Sequence, residues 1–202
     1  ELAHVWEQHD IRIAEIEIGT YCNWRCEFCP RHQSPMSPSV MSMDLFRRII
    51  GQVIECPTID EVSLNSYNEP TLDPYFDSRL EILRDNGLKL CLYTNGSGLN
   101  ERRIRYLKDQ DMLSVLYLNI PSADPETFVK MTGNTNWEKT FRVVDILVEY
   151  GLPVQLSVQG TEQEKNIQIK GIRKRWPSVS ISQWQTSDRL GLLDNKYKHN
   201  VS

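Results

Sequence analysis

Short apolar runs alternate along the chain with longer segments whose apolar residues recur at three- and four-residue intervals. The first run, Ile11–Ile18, reads as a strand carrying Ile11, Ile13, Ile16 and Ile18. Ser42 and Asp44 are placed to cap a helix over Met43–Val53, whose Leu45, Phe46, Ile49, Ile50 and Val53 keep helical spacing. Val62–Leu64 is the second strand, and the helix Tyr75–Asn86 after it is closed by Gly87. Lys89–Tyr93 is the third strand, followed by a helix from Asn100 to Asp109, and Val115–Asn119 is the fourth. Asp124-Pro125 opens a short helix over Ala123–Met131, since proline suits the first helical position. A longer helix, Trp137–Tyr150, stops at Gly151. Val154–Val158 is the fifth strand, Glu162–Arg175 a helix stopped by Trp176-Pro177, and Val179–Ile181 the sixth strand.

Strand–helix alternation of this kind predicts an α/β fold with a parallel sheet and right-handed crossovers. Periodicity alone does not choose between an open doubly wound sheet and a barrel. The 202 residues can bury a real core, and the apolar runs are strand-sized, far short of a membrane span. A net charge of −4 with no basic stripe points away from nucleic acid. No targeting segment stands out, so the expected compartment is the reducing cytoplasm. The chain opens at Glu1 without an initiator Met and ends in the polar stretch Asp194–Ser202, which reads as a piece of a longer protein.

Chemistry enters at Cys22, Cys26 and Cys29, a Cys-x3-Cys-x2-Cys triplet with Phe28 before the third Cys and Pro30 after it. Three thiolates this close can hold three irons of a [4Fe–4S] cluster and leave the fourth iron open to an outside molecule. A zinc site is the alternative, but structural zinc asks for four ligands, and only His32 is near enough to complete a set. A disulfide framework needs an even count in a secreted context, whereas the chain has five cysteines. Cys56 and Cys91 have no partner at ligand spacing and read as small buried hydrophobes.

The triplet resembles that of the radical S-adenosylmethionine (SAM) superfamily, and further motifs agree. Asn65-Ser-Tyr-Asn-Glu-Pro70 after strand two is similar to the family's Gly-Glu-Pro motif, and Tyr93-Thr-Asn-Gly96 closes strand three as in relatives. The resemblance implies a partial (β/α)6 TIM-like barrel over residues 1–186, with SAM chelated to the open iron and cleaved to a 5′-deoxyadenosyl radical. It implies that Phe28 lies near the adenine and that Glu69 and its loop bind the SAM amino group. Asn68 stands there where relatives have Gly, a substitution that suits a positive φ. Thr94 and Asn95 would line the SAM side, Asn119 would face the ribose, and Gln159 would approach the adenine or carboxylate. Arg189, in residues 187–202, resembles the linker towards a C-terminal SPASM or twitch auxiliary domain, with its own Fe–S cluster, outside this chain. The function implied is an oxidoreductase abstracting a hydrogen atom from a small natural product such as a sugar or aminocyclitol. Its electron donor would be a flavodoxin or ferredoxin, and neither nucleic acid nor membrane is an expected partner. A maturase acting on a ribosomally made peptide is the second reading, and a non-catalytic zinc- or Fe–S-binding module the third.

Overall fold

The computed structural model describes residues 11–32 and 37–184. Six strands, β1 (Ile13–Glu15), β2 (Glu61–Ser63), β3 (Lys89–Thr94), β4 (Leu113–Asn119), β5 (Val154–Val158) and β6 (Ser180–Gln183), form one sheet. Their order is β1-β2-β3-β4-β5-β6, every pair is parallel, and β1 and β6 each pair on one side only. The crossovers carry the helices α1 (Met43–Val53), α2 (Phe76–Asp85), α3 (Glu101–Asp109), α4 (Pro125–Thr132), α5 (Trp137–Glu149) and α6 (Glu162–Arg175). This is the expected α/β partial barrel.

Capping explains where several helices begin. Ser42 Oγ accepts from the Leu45 amide, Asn100 Oδ1 from Arg103, and Asp124 Oδ1 from Thr127. Ser122 Oγ in turn accepts the Asp124 amide. At α6 Thr161 and Glu164 form a reciprocal capping box.

Alternation along the strands sorts side chains onto two faces. Val62, Leu64, Leu90, Leu92, Leu116, Leu118, Leu156 and Val158 are fully buried in one core with Phe46, Leu80, Ile104, Phe128, Phe141 and Ile172 from the helices. Phe141 is the hub of its helical side, with Phe128, Trp137 and Trp176 edge-on at 5.3–5.4 Å. The opposite row is mostly polar or aromatic, with Glu15, Glu61, Cys91, Tyr93, Tyr117, Asn119, Gln155 and Ser157 beside the apolar Ile13 and Val115. A closed eight-stranded barrel fills its interior with branched apolar residues. Here the apolar face is turned outward against the helices, and the concave face is left free for a ligand.

The first strand is shorter than its apolar run. Ile13–Glu15 pairs in register with β2 and the Ile16 amide still donates to Ser63 O, while Ile18, also buried, continues the core beyond it. There the chain bonds a returning loop instead: the Met41 amide donates to Ile18 O and Gly19 bridges Val40.

Candidate active site

Seventeen residues from the C-terminal ends of the strands and the loop after β1 line one open cavity. Cys22, Cys26 and Cys29 all face it, with Trp24 and Phe28 between them. The loop is pinned in two places by backbone bonds: the Arg25 and Glu27 amides donate to Thr132 O and Met131 O at the end of α4. Gly133 beside it has φ +66° and lies against Arg25, so the helix end and the cysteine loop form one unit. Burial pushes the Cys22 thiol up to about 11, and the Cys26 thiol is also driven well above its ordinary value, by burial first and then by Cys22 and Cys29. A thiol raised by burial stays protonated and inert unless a metal ion displaces its proton.

The thiols fit an iron–sulfur cluster better than zinc. Among the described residues no three His, Cys, Asp or Glu side chains converge on a single-ion position. The thiols instead share the wall of one cavity with the loop after β2 and the ends of β3, β4 and β5. Two buried polar atoms of that wall, Trp24 Nε1 and Asn119 Oδ1, have no hydrogen-bond partner, as expected where a polar ligand belongs. The side chain of His32, the fourth ligand of the zinc reading, lies outside the described residues.

Glu69 is the best-bonded group of the site. It is 4% exposed, and four donors converge on its carboxylate. The Thr71 amide (3.1 Å), Thr71 Oγ1 (2.5 Å) and Thr94 Oγ1 meet Oε1, and the Asn95 amide meets Oε2 at 2.6 Å. Burial still raises its proton affinity, against the pull of those hydrogen bonds. Glu69 therefore ties the loop after β2 to the end of β3, leaving acceptor capacity on Oε2. Asn68 departs from the expectation of a positive φ: Asp111 is the one non-glycine residue with φ > 0 among the described residues. Its side chain builds the turn instead, accepting from the Ser66 amide (3.0 Å) and donating to Leu64 O (3.2 Å).

The Asn-Gly at the end of β3 is more than a turn. Asn95 Nδ2 donates to Asn23 Oδ1 (3.0 Å) and reaches Cys22 Sγ at 3.7 Å, so it joins β3 to the cysteine loop. Gly96 has φ +77°, and a Cβ there would meet Leu118 Cδ1 at 2.9 Å. Across the cavity, Asn119 Nδ2 lies 3.9 Å from Cys26 Sγ, and Gln159 faces the cavity beside Ser157. Phe28, Asn68, Glu69, Thr94, Asn95, Asn119 and Gln159 thus come together with the cysteine triplet. Arg189 lies outside the described residues. Cys56 and Cys91 are buried, away from the triplet.

Sequence reading missed the lower wall. Tyr93 and Tyr117, paired in register, stack at 4.6 Å with their planes 14° apart, and both line the cavity. Each lies two residues before a residue already singled out, Asn95 and Asn119, and Ser157 stands likewise before Gln159. Period-two spacing back along each strand was the signal that could have found them.

The chain's relatives agree with this geometry. The model of the radical SAM superfamily matches residues 16–166. The putative peptide biosynthesis protein YydG of Bacillus subtilis is 25% identical over 183 residues, covering 87% of this chain and 57% of YydG. Streptococcus suis SuiB bound to the precursor peptide SuiA superposes with a TM-score of 0.76 at 18% identity, covering 97% of this chain and 45% of SuiB. BtrN in complex with AdoMet and 2-DOIA superposes with a TM-score of 0.59 at 18% identity, covering 92% of this chain and 63% of BtrN. The chain spans less than half the length of other curated relatives it matches, at 43% and 26%. Members of the family are enzymes that use SAM with a [4Fe–4S] cluster. With three thiols on one ligand-ready cavity at the strand ends of a partial barrel, and the family's model matched across the sheet, the chain belongs to the radical SAM superfamily.

Proposed function

We propose that this chain is the catalytic barrel of a radical SAM oxidoreductase that abstracts a hydrogen atom from a small natural product such as a sugar or aminocyclitol. The observation that carries the reading is the shared wall: the three thiols and the polar concave face of the sheet line a single cavity. A [4Fe–4S] cluster together with SAM would supply, on reduction, the radical that takes the hydrogen atom.

The chain's own residues bind, orient and exclude water. Cys22, Cys26 and Cys29 hold the irons. Trp24 and Phe28, both nearly buried, screen that end from solvent. Asn95 and Asn119 place amide N–H groups near Cys22 and Cys26 sulfur, where they favour the anionic thiolate. Asn119 Oδ1, having no partner, is available to a ribose hydroxyl, and Glu69 Oε2 to the SAM ammonium. Within the same proposal, residues 187–202 with Arg189 lead to an auxiliary Fe–S domain, and a flavodoxin or ferredoxin delivers the electron. The sequence of the parent reading frame tests the domain.

A second reading, maturation of a ribosomal peptide, is favoured by the extent of the likeness to YydG and to SuiB. Anaerobic reconstitution, reduction and assay for 5′-deoxyadenosine test the common core. The native chain is expected to bind iron and sulfide and cleave SAM, and Cys26→Ala to lose both properties. Full iron content and turnover in Cys26→Ala would end the cluster assignment.

A further inference from the structure

Among the described residues two tryptophans are buried, and their indole nitrogens are treated differently. Trp176, 5% exposed, donates its N–H to Asp145 Oδ1 at 2.7 Å. Trp24, 4% exposed, has no acceptor for its Nε1, and an indole nitrogen can only donate. A buried donor left unpaired is costly, and native proteins keep few of them. The other buried polar atoms without a hydrogen bond have an account in place. Asp77 Oδ1 and Arg103 Nε face each other in an ion pair at 2.7 Å. Arg79 lies over the Phe46 ring, away from the cavity, and Asn119 Oδ1 is an acceptor that the proposed function already gives to a ribose hydroxyl. The Trp24 N–H is the donor without a role.

Trp24 stands midway between Cys22 and Cys26 in sequence and lines the cavity with all three thiols. Its ring is held: Phe128 meets it edge-on at 5.3 Å with the planes 86° apart, and the next amide, Arg25, donates to Thr132 O at 2.9 Å. An acceptor can then arrive only with a group bound in the cavity. Two neighbouring donors indicate which group. Asn95 Nδ2 lies 3.7 Å from Cys22 Sγ, and Asn119 Nδ2 lies 3.9 Å from Cys26 Sγ. N–H groups gathered around thiols suit anionic sulfur, and a cluster on three thiolates spreads negative charge over all its sulfurs. The ammonium and hydroxyls of SAM call for acceptors, which Glu69 Oε2 and Asn119 Oδ1 supply across the cavity.

We propose that the Trp24 indole N–H donates to a sulfur of the cluster held by Cys22, Cys26 and Cys29, and that this bond sets how readily the cluster takes up its electron. The inference rests on the proposed function for the cluster itself. Reduction adds one negative charge, so a donor to sulfur favours the reduced state, and loss of that donor lowers the reduction potential.

The test uses the anaerobically reconstituted chain without SAM, so that the cluster is the acceptor on offer. With ¹⁵N-indole tryptophan incorporated, pulsed EPR of the reduced cluster is expected to show a weak nitrogen coupling. That coupling should vanish in Trp24→Phe, which keeps an aromatic ring against Phe128, and persist in Trp176→Phe. An EPR-monitored titration of Trp24→Phe should show reduction disfavoured by about tenfold, a potential lower by about 59 mV for one electron. The potential of Trp176→Phe should match that of the native chain. A reduced native cluster without nitrogen coupling, or an unchanged potential in Trp24→Phe, overturns the inference. So does a Trp24→Phe protein that keeps its potential but binds SAM more weakly, since the N–H would then belong to SAM. Should Trp24→Phe fail to hold a cluster, the nitrogen coupling in the native chain decides by itself. A native chain that takes up no iron and sulfide sinks the proposed function along with the inference, whereas a bound cluster without the coupling sinks the inference alone.

Discussion

The two walls of the cavity are built on opposite plans. On the side of β2 and β3, Glu69 gathers four donors from Thr71, Thr94 and Asn95, and the hydroxyls that serve it are themselves used again: Thr71 Oγ1 accepts the Gly98 amide and Thr94 Oγ1 the Gly96 amide. Behind this knot the fully buried Arg79 pairs with Asp73, donates to Met41 O and stacks over Phe46, with its Nη1 left without an acceptor. On the side of β4 and β5, Asn119 Oδ1 has no partner, and Tyr117 shows its ring to the cavity. A densely bonded buried network is rigid and costly to break, whereas an unsatisfied polar atom is costly until a ligand arrives. The first wall therefore holds the loops in place, and the second is where ligand binding returns the most free energy.

The largest effect expected of that difference is at Gly98. A Cβ there would overlap the Thr71 carbonyl oxygen, and Arg103 fastens the same contact by donating to Thr71 O (2.7 Å) and Gly98 O (2.8 Å). Because the obstacle is backbone, neither partner can turn aside. Gly98→Ala should cost upward of about 3 kcal/mol, read as a fall in the urea midpoint. A near-native midpoint would show that the knot is pliant.

Next come the hydroxyls of the knot. Thr94→Val and Thr71→Val each leave the buried carboxylate one donor short and orphan a glycine amide, at about 1–3 kcal/mol. Glu69→Gln should also lower the midpoint, since an amide N–H must then face a donor. Its loss of SAM affinity is informative only beyond what Thr94→Val shows at equal destabilisation.

How much of this was legible beforehand follows the same division. The strand–helix order and the alternation of apolar positions were readable because burial against helices imprints itself locally on each segment. β1 was read too long because Ile18 is buried without being paired to β2, and apolar pattern reports burial, not pairing. The cysteine triplet, Glu69 and Asn95 were readable as motifs. That Glu69 bonds Thr94 and Asn95, twenty-five and twenty-six residues on, was not, since tertiary folding alone brings those loops together. Asn68 was read as a glycine substitute, and its side chain turned out to make the turn. The tyrosine wall lay hidden because an aromatic at a strand position usually means core.

On the second wall, a substitution should leave stability almost untouched. Asn119→Ala removes an orphaned acceptor, so the midpoint should shift by less than about 1 kcal/mol. SAM binding to the reconstituted protein should weaken by about tenfold, the worth of one hydrogen bond to a ligand hydroxyl. A large loss of stability with unchanged SAM affinity would reverse the contrast between the walls.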